Sequence, residues 1–251
     1  MKGAEPIFID KKAKMGVLML HGFTSTPYQF REMAKYMADK GLTVYAPLIA
    51  GHGTSPADLK NTTPDDWKKS VKVAYLKLKS KTGKIVIVGN SFGGNLAFWL
   101  AKHFNNSVTG VVSLGTPITL RYQWIIKARY YLYGWAKEYY QKPKRIYKTD
   151  YTDMVDEITY PAIPIKSVKE FLDFLKNETI PNLKKITVPT FIIHANVDPV
   201  VNPESAAYIH QHLGSTHKMI YFFDSDQHVV FNDKRKEELF HRIYNFIKEV
   251  T

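Results

Sequence analysis

Short apolar runs alternate with amphipathic stretches along the first half of the chain. The apolar runs lie at 17–20, 42–46, 85–88 and 108–114. They are short and rich in β-branched residues, which favours buried strands over buried helices. The stretches between them carry apolar residues at helical spacing, for example Trp67, Val71 and Ala74. This alternation predicts an α/β fold with a mostly parallel sheet and helices on both faces.

Capping residues predict where two of the helices begin. Ser25 or Thr26, followed by Pro27, is typical of a helix start, and Gly41 is typical of its end. Thr63 precedes a proline and two aspartates, whose negative charges suit the positive end of a helix. A further helix is predicted at about 91–104, directly after the third apolar run.

The alternation stops at residue 118 and resumes at about residue 184. Beyond the break, strands are predicted at 190–193 and 219–223, and helices at 204–212 and 233–250. We therefore expect a cap, or lid, insertion at 118–183 over a core made of 1–117 and 184–251. Inside the insertion, residues 160–164 are predicted to be an irregular joint before a short helix at 168–175.

Composition narrows the class of protein. The chain has 251 residues, 45% hydrophobic and 23% charged, as globular domains do. It has no cysteine, which excludes disulfides, thiolate metal sites and a cysteine nucleophile. The formal net charge of +12 can attract nucleic acid, anionic lipid or an acidic substrate, or can simply be solvated surface.

Two features bear on location. No apolar run approaches the roughly 18 residues that a membrane span needs. Residues 1–14 are charged where a signal peptide would carry its apolar stretch. The sequence therefore predicts a soluble, cytoplasmic protein.

The strongest chemical motif follows the strand at 85–88. Gly89-Asn90-Ser91-Phe92-Gly93 is a G-x-S-x-G motif between a predicted strand and a predicted helix, the context that a nucleophile elbow requires. The two glycines remove β-carbons that would clash in a sharp turn, so the serine can be held exposed in a strained conformation. We expect Ser91 to be a nucleophile; the alternative is a plain glycine-rich turn.

A serine hydroxyl needs a base and an orienting acid to become a good nucleophile. With this elbow, the acid and then the histidine follow along the chain after late strands, which selects Asp198 and His228. Asp224 and Asp226 are rival acids, but they share the loop of the histidine. The other histidines are predicted to be solvated, packed or structural: His21, His52, His103, His194, His210, His212, His217 and His241.

The first buried strand ends in Leu20-His21-Gly22-Phe23, where the glycine lets the backbone turn inward. We expect the backbone N–H groups of Phe23 and Phe92 to form an oxyanion hole. The alternative for this segment is an ordinary turn from strand to loop, and both can hold together.

Several separated segments together resemble the serine α/β-hydrolases, and more narrowly the microbial monoacylglycerol lipase and carboxylesterase group. They are residues 3–6, 16–27, 51–54, 62–67, 89–93, 198–203 and 228–230. The resemblance implies the α/β-hydrolase fold, a small cap, and hydrolysis of short to medium acyl esters without metal or cofactor. The elbow departs slightly, with Asn90 and Phe92 where His or Leu and Met are commoner.

The likeness is weaker in the cap. Residues 155–160 resemble a stretch of the monoglyceride lipases in which a glutamate contacts the glycerol hydroxyls, which makes Glu157 a candidate for substrate binding; the alternative is a solvated charge. The aromatic and basic run at 121–148 can line an acyl tunnel, rest transiently on an anionic membrane, or pack in the core.

The resemblance implies a serine esterase whose preferred substrate is a monoacylglycerol or a similar small ester. Alternatives on the same scaffold are a general carboxylesterase of short-chain or aryl esters, an acyltransferase, a C–C hydrolase and a perhydrolase. A ligand receptor without activity is disfavoured, because all three triad residue types are present in order. Nucleic-acid binding is disfavoured for want of a motif. Monomer and homodimer both stay open.

Overall fold

The computed structural model describes residues 1, 3–121, 123, 137–142, 159–228, 231, 233 and 235–251. The strands are β1 (Ile7–Ile9), β2 (Met15–Leu20), β3 (Thr43–Ala46), β4 (Lys84–Asn90), β5 (Gly110–Leu114), β6 (Tyr139–Gln141), β7 (Ala162–Pro164), β8 (Thr190–Ala195) and β9 (Lys218–Phe223). The helices are α1 (Arg31–Asp39), α2 (Pro56–Lys60), α3 (Pro64–Lys79), α4 (Phe92–His103), α5 (Ile165–Phe174), α6 (Glu204–His212) and α7 (Lys236–Glu249).

The main sheet has the strand order β1-β3-β2-β4-β5-β8-β9. Strand β1 runs antiparallel to β3, and every other neighbouring pair in this sheet is parallel. Strands β6 and β7 form a separate antiparallel pair. The mostly parallel sheet predicted from the alternation is confirmed.

Helices cover both faces of the sheet because the central strands are apolar on both faces. In β4, Ile85 and Ile87 join the cluster of buried side chains that includes Trp67 of α3. Val86 and Val88 point the other way, into the cluster that includes Met33 of α1 and Ile243 of α7. A mostly parallel sheet between two layers of helices is the arrangement of the α/β-hydrolase fold, which the resemblance implied.

Local sequence signals set several helix ends. Thr63 and Asp66 form a reciprocal capping box at the start of α3. The first predicted helix is split: residues 27–30 form a 3-10 turn, and α1 begins only at Arg31. Gly41 follows α1 with φ of +86°, a conformation that glycine adopts without a Cβ clash.

Three predictions in the break and at the ends need correction. The joint expected at 160–164 contains β7, because its residues pair with Tyr139–Gln141. The short helix expected at 168–175 begins earlier, at Ile165. The final helix is Lys236–Glu249 rather than 233–250. Strand β1 and helix α2 were not predicted.

The carboxyl ends of β2, β4, β8 and β9 lie at one edge of the main sheet, because these strands are parallel. In open α/β sheets this edge is where ligands bind. The loops that carry the candidate residues therefore all emerge at the same edge. Along the described part of the chain, none of the helices combines the length and apolarity needed to traverse a lipid bilayer.

Candidate active site

Ser91 occupies a strained turn between β4 and α4. Its φ of 53° and ψ of −121° lie outside the regions that ordinary residues adopt, and such backbone strain costs on the order of 1–3 kcal/mol. The turn is held because the Ser91 N–H donates to the Leu114 carbonyl at 2.7 Å. The tight approach also requires Gly93, since a Cβ there would lie 1.9 Å from the carbonyl oxygen of Leu20.

The imidazole of His228 lies beside this serine. Its Nε2 atom is 3.0 Å from Ser91 Oγ, although 137 residues separate the two along the chain. The side chain is about 10% exposed, so the ring is largely shielded from water. At this distance Nε2 can accept the hydroxyl proton.

Asp198 holds the other side of the imidazole. Its Oδ2 accepts a hydrogen bond from His228 Nδ1 at 2.7 Å. Its Oδ1 accepts from the backbone N–H groups of Val200 at 2.8 Å and Val201 at 2.9 Å. Burial raises the pKa of this carboxyl, but the charge and hydrogen bond of His228, together with the two N–H donors, lower it further, so the net pKa is below its usual value. The carboxylate therefore stays ionised and fixes the ring.

The rival acids on the histidine loop have other contacts. Asp224 accepts a hydrogen bond at its backbone carbonyl from the Arg235 guanidinium. Asp226 Oδ1 accepts from the side chain of Gln227 at 2.7 Å. Both residues are exposed. The structure thus brings Ser91, Asp198 and His228 into one hydrogen-bonded chain, and the two rivals remain outside it.

A second histidine lies beside the same acid. His194, near the end of β8, is buried, and its Nε2 is 3.5 Å from Asp198 Oδ2. Burial is the main cause that lowers the pKa of His194 to about 4. Repulsion from His228 lowers this pKa as well, whereas attraction to Asp198 raises it. His194 is therefore neutral near pH 7. The sequence did not indicate that it would approach the triad acid.

The loop after β2 passes close to the nucleophile. A Cβ at Gly22 would lie 3.4 Å from Ser91 Cβ. His21 braces this turn: its Nδ1 donates to the Gly22 carbonyl at 3.0 Å, and its Nε2 accepts from the Ile49 N–H at 3.0 Å. Burial, and then the neighbouring His52, hold the pKa of His21 well below its ordinary value, which agrees with a neutral ring that both donates and accepts.

The two expected oxyanion donors lie on neighbouring segments. The rings of Phe23 and Phe92 contact each other edge to face at 5.7 Å between centroids. The backbone N–H groups of both residues have no acceptor among the described residues. Phe92 begins α4, so the positive end of that helix points to the same region. This arrangement can stabilise a negative oxygen beside Ser91.

Aromatic side chains pack around Phe23 and Phe92, and two of them come from α5, within residues 118–183. Phe171 of α5 stacks on Phe23 at 5.1 Å, and Phe174 contacts the ring of Phe92 at 5.5 Å. Trp67 of α3 lies edge to face against both Phe23 and Phe92. The cluster makes the surroundings of the donors apolar, which strengthens electrostatic interactions there.

Two further residues contact the loop after β2 and were missed from the sequence. Tyr160 donates its backbone N–H to the Thr24 carbonyl at 3.1 Å, and Lys142 Nζ donates to Thr24 Oγ1 at 2.5 Å. Neither residue belongs to a motif that could have revealed these contacts. Glu157, the candidate for substrate binding, lies outside the described residues, as does most of the aromatic run at 121–148.

The side chains at the carboxyl edge of the sheet can carry out acyl transfer. Ser91, His228 and Asp198 form one hydrogen-bonded chain there, and such a chain can activate a serine hydroxyl toward a carbonyl carbon. Over the ranges that the structure describes, no group of three or more His, Cys, Asp or Glu side chains has an arrangement that could hold a metal ion.

Comparison with known proteins gives matches over nearly the whole chain. The family model described as "Serine aminopeptidase, S33" matches residues 11–235. A thermostable monoacylglycerol lipase of Bacillus sp. (strain H-257) is 32% identical over 98% of this chain and 95% of its own. A carboxylesterase of Bacillus subtilis (strain 168) is 28% identical over 97% and 96%. A solved structure from work on two metagenome-derived lipolytic enzymes, LipS and LipT, is 28% identical, covers 99% of each chain and superposes with a TM-score of 0.90.

Proposed function

We propose that this chain, which belongs to the hydrolase family described as "Serine aminopeptidase, S33", is a serine esterase that prefers monoacylglycerols and forms an acyl-enzyme on Ser91. The observation that carries the proposal is the hydrogen-bonded chain from Ser91 through His228 to Asp198, with contacts of 3.0 and 2.7 Å. The names of the two full-length relatives, a monoacylglycerol lipase and a carboxylesterase, support ester substrates.

The proposed reaction has two halves. Ser91 Oγ attacks the ester carbonyl carbon while its proton passes to His228 Nε2. The tetrahedral intermediate collapses, the ester C–O bond breaks, and the alcohol leaves with the proton from His228. Water then attacks the acyl-enzyme with His228 again as base. The bond between the acyl carbon and Ser91 Oγ breaks, the proton on His228 returns to Oγ, and the carboxylic acid is released. Asp198 stabilises the imidazolium in both halves.

The oxyanion hole in this proposal consists of the N–H groups of Phe23 and Phe92. Each tetrahedral intermediate carries its negative charge on the former carbonyl oxygen, which these donors would bind. Support comes from the Gly22 turn next to Ser91 and from the N-terminus of α4, which starts at Phe92.

The preference for monoacylglycerols rests on the cap, proposed to span 118–183. Glu157 is proposed to accept hydrogen bonds from the glycerol hydroxyls. The runner-up function is a general carboxylesterase of short-chain or aryl esters, and an acyltransferase or a C–C hydrolase would use the same serine. Transient contact of the basic cap with an anionic membrane, and a cytoplasmic monomer or homodimer, remain part of the proposal.

Replacement of the nucleophile tests the central step. Ser91→Ala is expected to lower turnover of p-nitrophenyl butyrate by on the order of 10⁴-fold or more, with an unchanged thermal midpoint. Ser80→Ala, at the exposed end of α3, is the matched control and should keep wild-type activity. Turnover by Ser91→Ala at the wild-type rate would end the proposal.

Substrate preference is tested separately. A panel of monoacylglycerols and ethyl esters of equal acyl length should show higher kcat/KM for the glycerides. Glu157→Ala is expected to remove that difference and to leave ethyl ester hydrolysis intact, whereas Glu157→Gln should retain part of it because the amide oxygen still accepts. Equal losses on both substrate series would exclude a glycerol role for Glu157. Added alcohol acceptors, with product analysis, distinguish a transferase.

A further inference from the structure

Thr24 has a backbone conformation that threonine rarely adopts. Its φ is 63°, in the left-handed region, where a β-branched side chain is an outlier. The residue is 1% exposed and directly follows Phe23. The Phe23 N–H belongs to the preceding peptide unit, between Gly22 and Phe23, and the hydrogen bond from Ser25 N–H to the Gly22 carbonyl links that unit to Thr24. The conformation of Thr24 therefore helps to fix the direction of the Phe23 N–H through this closed turn. The loop holds part of this conformation itself, because the Ser25 N–H donates to the Gly22 carbonyl at 3.1 Å and closes a turn with Thr24 at its third position. Contacts from outside the loop add to this hold.

The pair of strands β6 and β7 holds Thr24 at two points. Lys142, directly after β6, donates from Nζ to Thr24 Oγ1 at 2.5 Å. Tyr160, just before β7, donates its backbone N–H to the Thr24 carbonyl at 3.1 Å. The two donors are themselves connected, since the Lys142 N–H donates to the Pro161 carbonyl at 3.0 Å. The side chain and the main chain of one strained residue are thus both bound by residues next to the β6–β7 strand pair.

Other contacts fix this strand pair against the edge of the main sheet. The Tyr160 hydroxyl donates to the Gly51 carbonyl at 2.9 Å and accepts from the Thr54 N–H at 2.9 Å. The positive charge of Lys142 also acts on His52. Burial is the main cause of the lowered pKa of His52, and repulsion from the Lys142 ammonium lowers it further. The His52 ring lies 5.8 Å from that of Phe23. The ammonium therefore lies beside the loop that carries Phe23.

We propose that Lys142 is a positioning residue, which acts with the Tyr160 N–H to hold Thr24 so that the Phe23 N–H points at the developing oxyanion. The inference rests on the proposed function, because it needs Phe23 to be an oxyanion donor. It adds that contacts from the β6–β7 strand pair support the oxyanion hole, so that loss of these contacts weakens the hole while Ser91 and His228 stay in place.

The first test replaces the ammonium. Lys142→Met should lower kcat for p-nitrophenyl butyrate about 10-fold, less than the roughly 100-fold expected for complete loss of a donor. KM should stay near the wild-type value, because the oxyanion forms after substrate binding. Lys142→Arg should recover most of the activity. Lys137→Met, an exposed lysine on the same segment, is the matched control and should behave as wild type.

A transition-state analogue separates positioning from general damage. Ser91 adds to a trifluoromethyl ketone through Oγ, its proton passes to His228, and the former carbonyl oxygen becomes an oxyanion. For Lys142→Met, the inhibition constant of a butyl trifluoromethyl ketone should rise by about the same factor as kcat falls. The thermal midpoint should stay within about 2 °C of wild type. A purely structural role would lower the midpoint and would leave the ratio of inhibitor to substrate binding unchanged.

The partner side chain provides the second test. Thr24→Val keeps the β-branch and removes the acceptor, so it should reproduce the kcat loss of Lys142→Met, and Thr24→Ser should retain activity. The double variant should lose no more than either single variant, because both remove one interaction. Wild-type kcat in Lys142→Met, a loss confined to KM, or additive losses in the double variant would each overturn the inference. An inactive wild type, or an active Ser91→Ala, would instead overturn the proposed function.

Discussion

His194 and Asp198 meet at the oxygen that already binds His228. The Nε2 atom of His194 is 3.5 Å from Asp198 Oδ2, which also accepts the 2.7 Å hydrogen bond from His228 Nδ1. His194 is fully buried, and the backbone of Val201 also lies within hydrogen-bonding range of its ring. A protonated His194 would compete with His228 for the same carboxylate oxygen. Its lowered pKa of about 4 keeps it neutral and leaves that oxygen to His228.

The pKa of His194 predicts a loss of stability in acid. The unfolded chain binds a proton at this residue below pH 6.5, but the folded chain does so only below about pH 4. The unfolded state therefore holds more protons between these values, so the free energy of unfolding falls as pH decreases through this window. The full effect of this one residue is about 3 kcal/mol, complete near pH 4.

His194→Gln should remove this contribution. Urea unfolding measures the free energy of unfolding at pH 7 and at pH 4.5. Its decrease between these two pH values should be smaller in the variant than in wild type by about 2 kcal/mol. Some loss must remain, because the pKa of buried His52 is also lowered to about 4 and that of His21 lies well below its ordinary value. His210→Gln, on helix α6, is the control and should follow wild type. An identical pH dependence in His194→Gln and wild type would contradict the assignment.

Replacement of the acid tests the choice between Asp198 and its rivals. Asp198→Asn keeps the shape of the side chain but removes the charge that stabilises the imidazolium, so kcat should fall by on the order of 10⁴-fold. Asp226→Asn, on the loop of His228, should keep near wild-type kcat, because its carboxylate contacts Gln227. Steady-state kinetics on one p-nitrophenyl ester measures both. A larger loss of kcat in Asp226→Asn than in Asp198→Asn would show that Asp226, and not Asp198, is the acid.

Much of this architecture could be predicted because its signals are local. The alternation of apolar runs predicted the parallel sheet, since strands buried on both faces are apolar throughout, as Val86 and Ile87 of β4 are. The elbow at Ser91 has glycines where the backbone must come close. In the fold that this elbow indicates, the acid and then the histidine follow late strands, which selected Asp198 and His228. The parallel topology puts all three loops at one edge.

What the sequence did not predict depends on contacts between distant segments. Strand β1 has only three residues and pairs antiparallel with β3, so its pattern is too short to be distinctive. Lys142 reaches Thr24 across 118 residues, and nothing near either residue indicates the other. The approach of His194 to Asp198 could not be predicted either. Residues four apart are neighbours on a helix, but the same spacing at the end of a strand does not predict a contact.

The elbow also predicts a sharp contrast between two glycines. Gly93→Ala would put a Cβ 1.9 Å from the Leu20 carbonyl oxygen, an overlap that only a backbone shift at Ser91 or β2 can relieve. We expect it to lower the free energy of unfolding by about 2–4 kcal/mol and to abolish activity. Gly83→Ala is the control, because the nearest atom to its Cβ would be the Lys14 carbonyl oxygen at 3.6 Å. Chemical denaturation and ester turnover measure both, and similar stability of the two variants would refute this view of the elbow.

The Tyr160 hydroxyl should stabilise the β6–β7 strand pair rather than take part in the chemistry. Tyr160→Phe leaves the Gly51 carbonyl and the Thr54 N–H without this partner, which should cost about 1–3 kcal/mol in the free energy of unfolding. The backbone N–H that binds Thr24 is retained, so kcat should fall less than in Lys142→Met. Tyr139→Phe is the matched control, since Tyr139 is a half-buried tyrosine of β6 in the same strand pair. Urea unfolding, with kinetics measured on the same variants, tests this prediction. A Tyr160→Phe variant of wild-type stability would show that the β6–β7 strand pair is held by its other contacts.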